Sequence, residues 1–333
     1  MAESNRQTAE IAPGYLVGLD VGGTKTAVLV VDRALQPVAR GSAPTVVDNP
    51  EALVQGIYEA VLAVAPAPIL AVGVGVPGMV EPHSGLVRLA VNLNLQQYPL
   101  GDALTACFAA PVALENDVRA ASLGAFAWLN RDEQKVRHMA YLSIGTGIAA
   151  GLVLNGRLYR GAQGMAGEIG HVLFDPRGER CLCGLTGCLE TIAAGPSIAR
   201  HWQADNSSAE AVFSAAHEGD PAARAIVDSA ATAVARAIHL LVMTYDVERV
   251  VLGGGVLNAG DAFLGPIRTA LETMRADSAL ARRMLTPELV VAAPPAADVA
   301  RQGAVLLAQQ AFDDPKARSQ TGETRPKGAR IHA

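Results

Sequence analysis

The sequence has few aromatic residues and no surplus of positive charge, and each shortage excludes something. Phe, Trp and Tyr make up 4% of the 333 residues, so a buried core must consist mainly of Ala, Val, Leu and Ile. The formal net charge is −5, which argues against nucleic acid as the main partner because phosphate contacts need a basic face. With 50% hydrophobic and 18% charged residues, the chain is too apolar for a disordered or low-complexity protein.

Long apolar runs are also missing. No apolar run reaches the roughly 18 residues that are needed to span a bilayer, and the polar N-terminus MAESNRQTAE lacks the apolar centre of a secretory signal. We therefore expect a cytoplasmic globular protein that does not bind membranes. The polar ends 1–14 and 313–333 have no apolar periodicity, and we expect both to be disordered.

A pattern of two apolar runs joined by a glycine-rich turn occurs twice. It covers residues 15–32 (YLVGLDVGGTKTAVLVVD) and 139–156 (MAYLSIGTGIAAGLVLNG), and each copy predicts a β-hairpin. Two later runs, 69–80 and 247–260, correspond more loosely. Because glycine-rich hairpins are common, coincidence is one explanation. The other is a pair of homologous α/β halves whose tight turns face a shared cleft.

Apolar residues at helical spacing fill the segments between these runs. The spacing predicts helices over 50–65, 117–129, 221–244 and 302–312. Strands that alternate with helices favour an α/β fold with mixed sheets.

The first glycine-rich turn, Asp20 to Lys25 (DVGGTK), has the residue types of a phosphate site. Glycine backbone N–H groups can approach an anion closely, Thr24 adds a hydroxyl and Lys25 adds a positive charge. Asp20 follows a buried strand, where a carboxylate needs a partner, and a hydrated Mg²⁺ would be suitable. An ordinary hairpin turn is the alternative, and this combination of residues in six positions makes it less favoured.

Two further turns, Gly145-Thr146-Gly147 and Gly253-Gly254-Gly255, also follow apolar strands. Segments 73–78 (GVGVPG) and 145–150 (GTGIAA) match the dinucleotide-binding pattern by letters alone, but neither opens a helix as that pattern requires. A Rossmann dehydrogenase is therefore disfavoured. The three turns together predict a nucleotide cleft.

Asp117 lies where a predicted strand (Leu114 to Asn116) meets a predicted helix. One interpretation is a helix N-cap, a position that Asp favours. The other is a general base, because a carboxylate at a strand end in a cleft could remove a proton from a substrate hydroxyl.

One histidine and three cysteines occur close together, and they match the ligand set of a closed, tetrahedral structural Zn²⁺ site. They are His171, Cys181, Cys183 and Cys188. Three free structural cysteines are the alternative, although free cysteines seldom cluster this way in a loop. A metal that fixes His171 would also fix Glu168 and Glu190, and rigidly held polar groups suit the recognition of several hydroxyls.

Together these motifs resemble the ROK family, named for repressors, open reading frames and sugar kinases. The segments that carry the resemblance are DVGGTK, GVGVPG, ENDVRAA, SIGTG, GEIGH, CLCGLTGCLE and LGGGV, spread over about residues 15–312. The resemblance implies the duplicated actin/hexokinase-like (ribonuclease H-like) ATPase fold, with two α/β domains flanking a cleft. The smaller domain is expected to comprise 15–118 and 301–312, and the larger domain, with the zinc-binding loop, 119–300.

The resemblance also implies roles for single residues. ATP phosphates and Mg²⁺ would be bound by Asp20, Gly22, Gly23, Thr24, Lys25, Gly145, Thr146 and Gly147, with Gly254 and Gly255 on the adenosine side. Asp117 would be the catalytic base for attack of a sugar hydroxyl on the γ-phosphate. The sugar ligands would be Gly78, Asn92, Asn116, Asp117, Glu168, His171 and Glu190, and the zinc ligands His171, Cys181, Cys183 and Cys188.

We therefore expect an ATP-dependent kinase for the 6-hydroxyl of a hexose, with glucose favoured because residues 161–171 (GAQGMAGEIGH) are most similar to family glucokinases. N-acetylglucosamine, N-acetylmannosamine, mannose and fructose remain alternatives, since residues 94–97 (NLQQ) stand where relatives often have an aromatic residue. A sugar-responsive transcriptional regulator is disfavoured, because about 14 residues before the first strand are too few for a helix-turn-helix. A sensor without catalysis is disfavoured by the presence of Asp20, Lys25 and Asp117. The resemblance implies a homodimer.

Overall fold

The described residues group into two compact units. The computed structural model describes residues 14–132, 135–202 and 208–314. One unit contains the residues up to Glu115 and those from Ala304 onward, and the other contains Asn116–Gly303. Apart from Gly14 and residues 313–314, the two ends that we expected to be disordered lie outside the described residues.

The first unit is built on a five-stranded sheet. Its elements in chain order are β1 (Tyr15–Val21), β2 (Lys25–Val31), β3 (Pro37–Pro44), α1 (Pro50–Leu62), β4 (Ile69–Val76), β5 (Met79–Glu81), β6 (Leu86–Ala90), β7 (Leu95–Tyr98), α2 (Leu100–Phe108) and β8 (Val112–Asn116), whose last residue belongs to the second unit. The strand order is β3-β2-β1-β4-β8, and β5-β6-β7 form a separate three-stranded sheet. Valine and leucine side chains of β1, β2 and β4 are fully buried in its core.

The second unit has its own five-stranded sheet in the order β11-β10-β9-β12-β13. Its elements are α3 (Asp117–Leu129), β9 (Met139–Ile144), β10 (Ile148–Leu154), β11 (Arg157–Tyr159), α4 (Glu190–Ala193), α5 (Gly195–His201), α6 (Ala209–Glu218), α7 (Pro221–Tyr245), β12 (Arg249–Gly253), α8 (Asp261–Asp277), α9 (Ala279–Met284) and β13 (Val290–Ala292). A last helix, α10 (Val299–Asp313), begins in this unit and ends in the first.

The two five-stranded sheets repeat one arrangement. In each, a hairpin continues into a third antiparallel strand, as β1-β2-β3 and as β9-β10-β11. The first strand of each hairpin also pairs in parallel with a later strand, β4 in one sheet and β12 in the other. The hairpins and the two later runs that correspond in sequence therefore occupy equivalent positions, and the predicted duplicated α/β fold is confirmed.

Helix α7 is the one helix of the described residues that resembles a membrane span, although the sequence has no uninterrupted apolar run of that length. By length and composition it could cross a membrane, since its most apolar 18-residue window has a mean hydropathy of 1.5. However, 56% of that window is buried inside the protein, where Val227, Val234 and Ile238 belong to the core of the second unit. The helix contacts α6 and α8. We conclude that α7 is a core helix, a type that meets the same criteria as a membrane span.

Candidate functional site

In the first unit, the turn between β1 and β2 brings two predicted roles together. The backbone N of Gly22 donates to the carbonyl oxygen of Lys25 at 2.9 Å. Thr24 and Lys25 are exposed, and Asp20 is half-buried near the end of β1. A Cβ added to Gly23 would lie 2.9 Å from the backbone oxygen of Asn92. The predicted phosphate turn therefore packs directly against a predicted sugar ligand.

Gly78 belongs to the same region of the first unit. It follows β4 with φ at 93°, and a Cβ there would overlap the carbonyl oxygen of Leu89. Leu89 lies in β6, which leads directly into the short 3-10 helix Val91–Leu93 that carries Asn92. Gly78 thus packs against β6, the strand that immediately precedes the 3-10 helix with Asn92.

In the second unit, Asn116 and Asp117 form a fixed pair where α3 begins. Asn116 is the N-cap, because its side-chain oxygen accepts from the backbone N of Arg119 at 3.1 Å. The Oδ1 atom of Asp117 accepts from Asn116 Nδ2 at 2.9 Å and from the backbone N of Val118 at 2.8 Å. The interpretation of Asp117 as the N-cap is therefore wrong, and two N–H donors hold the Oδ1 atom of its carboxyl in place.

Burial sets the protonation behaviour of two carboxyls in this unit. It raises the pKa of Asp117 against the lowering effects of its hydrogen bonds and of the Arg119 charge. It also raises the pKa of Glu168, which His171 and Arg119 lower and which Asp117 and Glu190 raise further. Since Asp117, His171 and Glu190 all act on the pKa of Glu168, the structure places these four predicted sugar-site residues near one another.

The turn Gly145–Gly147 joins β9 to β10 and lies against two other predicted segments. The backbone N of Ile148, which follows the turn, donates to Oε2 of Glu190 at 2.9 Å. A Cβ added to Gly145 would lie 3.7 Å from the backbone N of Gly255, and Gly254 has φ at 90°. The structure thus assembles both predicted glycine turns of the second unit, which follow the parallel strands β9 and β12.

The four predicted metal ligands form one cluster. One donor atom from each of His171, Cys181, Cys183 and Cys188 lies within 4.8 Å of all the others. The Cys181 Sγ atom is 3.7 Å from His171 Nδ1, and the Sγ atoms of Cys183 and Cys188 are 3.6 Å apart. A tetrahedral zinc with bonds of about 2.3 Å to sulfur separates two thiolates by about 3.8 Å, so these spacings fit such an ion.

The chemistry of the cysteines also fits a cation. A disulfide bond has a sulfur–sulfur distance of about 2.05 Å. All four cysteines are free, so no pair of them forms such a bond. Burial, together with the neighbouring Cys183 and Cys181, raises the pKa of the Cys188 thiol to about 12. A bound divalent cation would stabilise the thiolate form of these cysteines, because it binds cysteine sulfur in the deprotonated state.

Sequence reasoning missed Arg119 in the first turn of α3. The residue is 2% exposed, and its Nη1 atom donates to the carbonyl oxygen of Gly164 at 2.6 Å. The signal in the sequence was a single arginine within VRAASLGAFAWL, an otherwise apolar or small-residue helix. A buried cation in such a position needs acceptors nearby.

The sequence profile of the ROK family matches residues 16–311. The chain belongs to the ROK family. A glucokinase from Halalkalibacterium halodurans is 34% identical to it over 288 residues, which cover 78% of this chain and 85% of that protein. An N-acetylmannosamine kinase from Salmonella typhimurium is 32% identical over 259 residues, covering 77% of this chain and 87% of that one.

A solved structure agrees with this assignment. The crystal structure of a ROK family glucokinase from Streptomyces griseus, in complex with glucose and AMPPNP, matches this ROK protein with a TM-score of 0.73 and 28% sequence identity. The match covers 89% of this chain and 100% of that one. The predicted hexokinase-like fold is confirmed, and this ROK protein is a phosphotransferase that acts on an alcohol.

Proposed function

We propose that this ROK protein is an ATP-dependent hexose kinase that transfers the γ-phosphate to the 6-hydroxyl of glucose. The similarity to glucokinases, one of them solved with glucose and an ATP analogue, supports this substrate pair. As the family resemblance implies, we also propose that the enzyme acts in the cytoplasm as a homodimer.

The observation that carries the proposal is the carboxyl of Asp117. Two N–H donors fix it at the first turn of α3 and burial raises its pKa, while Asp117 as a whole residue is half-buried. A carboxylate in this state can accept the proton of the sugar hydroxyl while the hydroxyl oxygen forms a bond to the γ-phosphorus. The bond from that phosphorus to the bridging oxygen breaks, and ADP leaves. Because such a transition state is loose, positioning and charge neutralisation supply most of the rate.

The glycine turns suit the phosphates of ATP. In the first unit, Lys25 offers an exposed ammonium beside the backbone of Gly22 and Gly23. Asp20 is the residue that would hold Mg²⁺ through its waters, and the ion would neutralise charge on the phosphate oxygens. In the second unit, Gly145 to Gly147 offer a similar backbone turn. Gly254 and Gly255, which lie beside it, would line the adenosine.

The His171 and cysteine cluster suits a structural zinc. One histidine and three thiolates complete a tetrahedron, so no coordination position remains for a reacting water. The ion would fix the imidazole of His171, and with it the chain that carries Glu168 and Glu190. As the family resemblance implies, we propose that these three side chains, together with Asn116, Asn92 and Gly78, are sugar ligands.

Residues 94–97 (NLQQ) are the sequence feature that makes the identity of the sugar substrate a question for experiment. Asn94 and Gln97 both have positive φ, at 52° and 48°, so this segment follows an unusual backbone path directly after the 3-10 helix that carries Asn92. A relative that acts on N-acetylmannosamine is almost as similar as the glucokinases. N-acetylmannosamine is therefore the second candidate substrate, ahead of N-acetylglucosamine, mannose and fructose.

A panel of sugars in an ADP-release assay with Mg-ATP tests the proposal. We expect glucose to give the highest kcat/KM and 6-deoxyglucose, which lacks the accepting hydroxyl, to give no sugar-dependent ADP. A higher kcat/KM for N-acetylmannosamine would replace glucose as the substrate. ADP release that no sugar stimulates would overturn the kinase proposal itself.

A further inference from the structure

We infer that Arg119 is a positioning residue for the proposed phosphoryl transfer, and that it holds the segment carrying Glu168 against the first turn of α3, beside Asp117. The inference rests on the proposed function in assigning Asp117 and Glu168 to the base and to a sugar ligand. It goes beyond that function because Arg119 itself is given no contact with either substrate.

The geometry of Arg119 makes it a tether between two distant parts of the chain. Its backbone N closes the N-cap by donating to Asn116, while its guanidinium donates to the carbonyl oxygen of Gly164 at 2.6 Å. Gly164 is four residues before Glu168. A charge-assisted hydrogen bond of this length is among the strong ones, so the segment 161–168 is fastened to the helix that presents Asp117.

The same segment is fastened at its other end to β10. The backbone N of Ala150 donates to the carbonyl oxygen of Gly167 at 2.7 Å, and a Cβ on Gly167 would overlap the carbonyl oxygen of Ala150. At both attachment points, Gly164 and Gly167, the backbone has positive φ. Glycine-rich chain has no intrinsic preference for such a path, so its position depends on the two attachments.

The charge of Arg119 also reaches the carboxyl of Asp117. It lowers the pKa of Asp117, in opposition to burial. Arg119 on α3 and Glu168 on the attached segment are the charged groups that interact with Asp117, while His171 and Glu190 interact with Glu168. Without the guanidinium, Asp117 would hold its proton to a higher pH and would be a base over a narrower pH range.

Two variants separate the tether from the charge. Arg119→Met removes both. Arg119→Lys keeps the positive charge but lacks the planar guanidinium group that donates to the carbonyl oxygen of Gly164. For Arg119→Met we expect the acid limb of the kcat profile to move up by about one pH unit and the KM for glucose to rise about tenfold. For Arg119→Lys we expect the acid limb to stay near that of the wild type while the KM for glucose remains raised. Arg236→Met, at an exposed arginine of α7, is the matched control and should change neither value.

Hydrogen exchange provides a readout that does not depend on activity. Amides of residues 161–168 should exchange faster in Arg119→Met than in the wild type or in Arg236→Met, while those of β9 and β10 keep their protection. Unchanged hydrogen exchange of residues 161–168 in Arg119→Met would overturn the tether, whatever the activity of the wild type. Inactivity of the wild type towards every sugar is a different result, and it would overturn the proposed function but not the tether. An equal fall in kcat for both Arg119 variants, with an unmoved acid limb and an unchanged KM, would reduce Arg119 to a structural residue.

Discussion

Glu190 accepts a hydrogen bond from the backbone N of Ile148 through its Oε2 atom, at 2.9 Å. This contact joins a predicted sugar ligand at the start of α4 to the end of the glycine turn that is predicted to face phosphate. A Cβ on Gly147 would lie 2.6 Å from that same oxygen. Glu190 and Gly147 therefore fit together only while residue 147 has no side chain.

Gly147→Ala should impair catalysis more than stability. The added methyl group meets the flexible end of Glu190, which can rotate away, so we expect an unfolding cost of about 1 kcal/mol, at the low end for overpacking. The displaced carboxylate should lower kcat/KM for the sugar by about ten- to a hundredfold. The measurements are steady-state kinetics and thermal unfolding. Gly265→Ala in α8, where a Cβ meets open space, is the control, and wild-type kinetics for Gly147→Ala would contradict the prediction.

Asp117→Asn should strongly reduce turnover and stabilise the fold. Loss of the base should lower kcat by about 10²- to 10⁴-fold, while sugar binding persists because Asn keeps the oxygen that accepts from Asn116 and Val118. Since burial raises the pKa of Asp117, the charged carboxylate destabilises the folded state at every pH above that raised pKa. The Asn variant should therefore have the higher Tm at neutral pH.

The pH dependence of that Tm difference is a second check on Asp117. The penalty declines as the pH falls through the raised pKa and vanishes below the ordinary value of 3.8, so the wild type and Asp117→Asn should converge in acid. Thermal unfolding across pH measures this convergence. A variant that unfolds earlier than the wild type at neutral pH, or one that turns over normally, would remove the assignment.

Local patterns in the sequence predicted the repeated core of the fold. The hairpins appear at 15–31 and 139–154, and α3 has the predicted bounds Asp117–Leu129, because two-residue and helical periodicities are set by neighbouring residues. Asn116 and Asp117 are both good caps, so the sequence alone could not decide which one starts α3. Charged side chains such as Asp228 and Arg236 interrupt the apolar sequence of α7, so the sequence shows no long apolar run there, although the helix as a whole is apolar enough to cross a membrane.

Features that depend on distant contacts were not predictable in this way. Strand β13 has three residues, all half-buried, and is defined by its parallel pairing with β12 about 40 positions earlier. Arg119 is another example, because the partner that gives it a role, Gly164, lies 45 residues away. In contrast, the cysteine cluster was predictable, since three of its ligands fall within eight residues of chain.

The zinc content should depend on the three clustered cysteines and not on the fourth cysteine of the chain, Cys107. We expect about one zinc per chain by elemental analysis, and its loss in Cys183→Ser together with a lower Tm. Cys107→Ser is the matched control, because Cys107 is an exposed free cysteine on α2 in the other unit. Equal zinc in both variants, or none in wild type purified without chelator, would rule out the site.

Gly187 and Gly184 provide a sharper test of the loop that holds these ligands. Both have positive φ, at 82° and 95°, so alanine is strained at either position by about 1–2 kcal/mol. They differ in their surroundings: a Cβ on Gly187 would overlap the carbonyl oxygen of Asp175, whereas one on Gly184 meets open space.

Gly187→Ala should therefore cost about 3 kcal/mol or more, because the overlapped atom is backbone and cannot rotate away. The loop must shift to accommodate the methyl group, and Cys188, the next residue, shifts with it, so zinc should be lost. Gly184→Ala should keep its zinc and lose only the strain energy. Chemical denaturation and elemental analysis of both variants measure these differences. If Gly184→Ala lost zinc as completely as Gly187→Ala, backbone strain alone would account for the loss, and the close approach of Gly187 to Asp175 would not be what shapes the site.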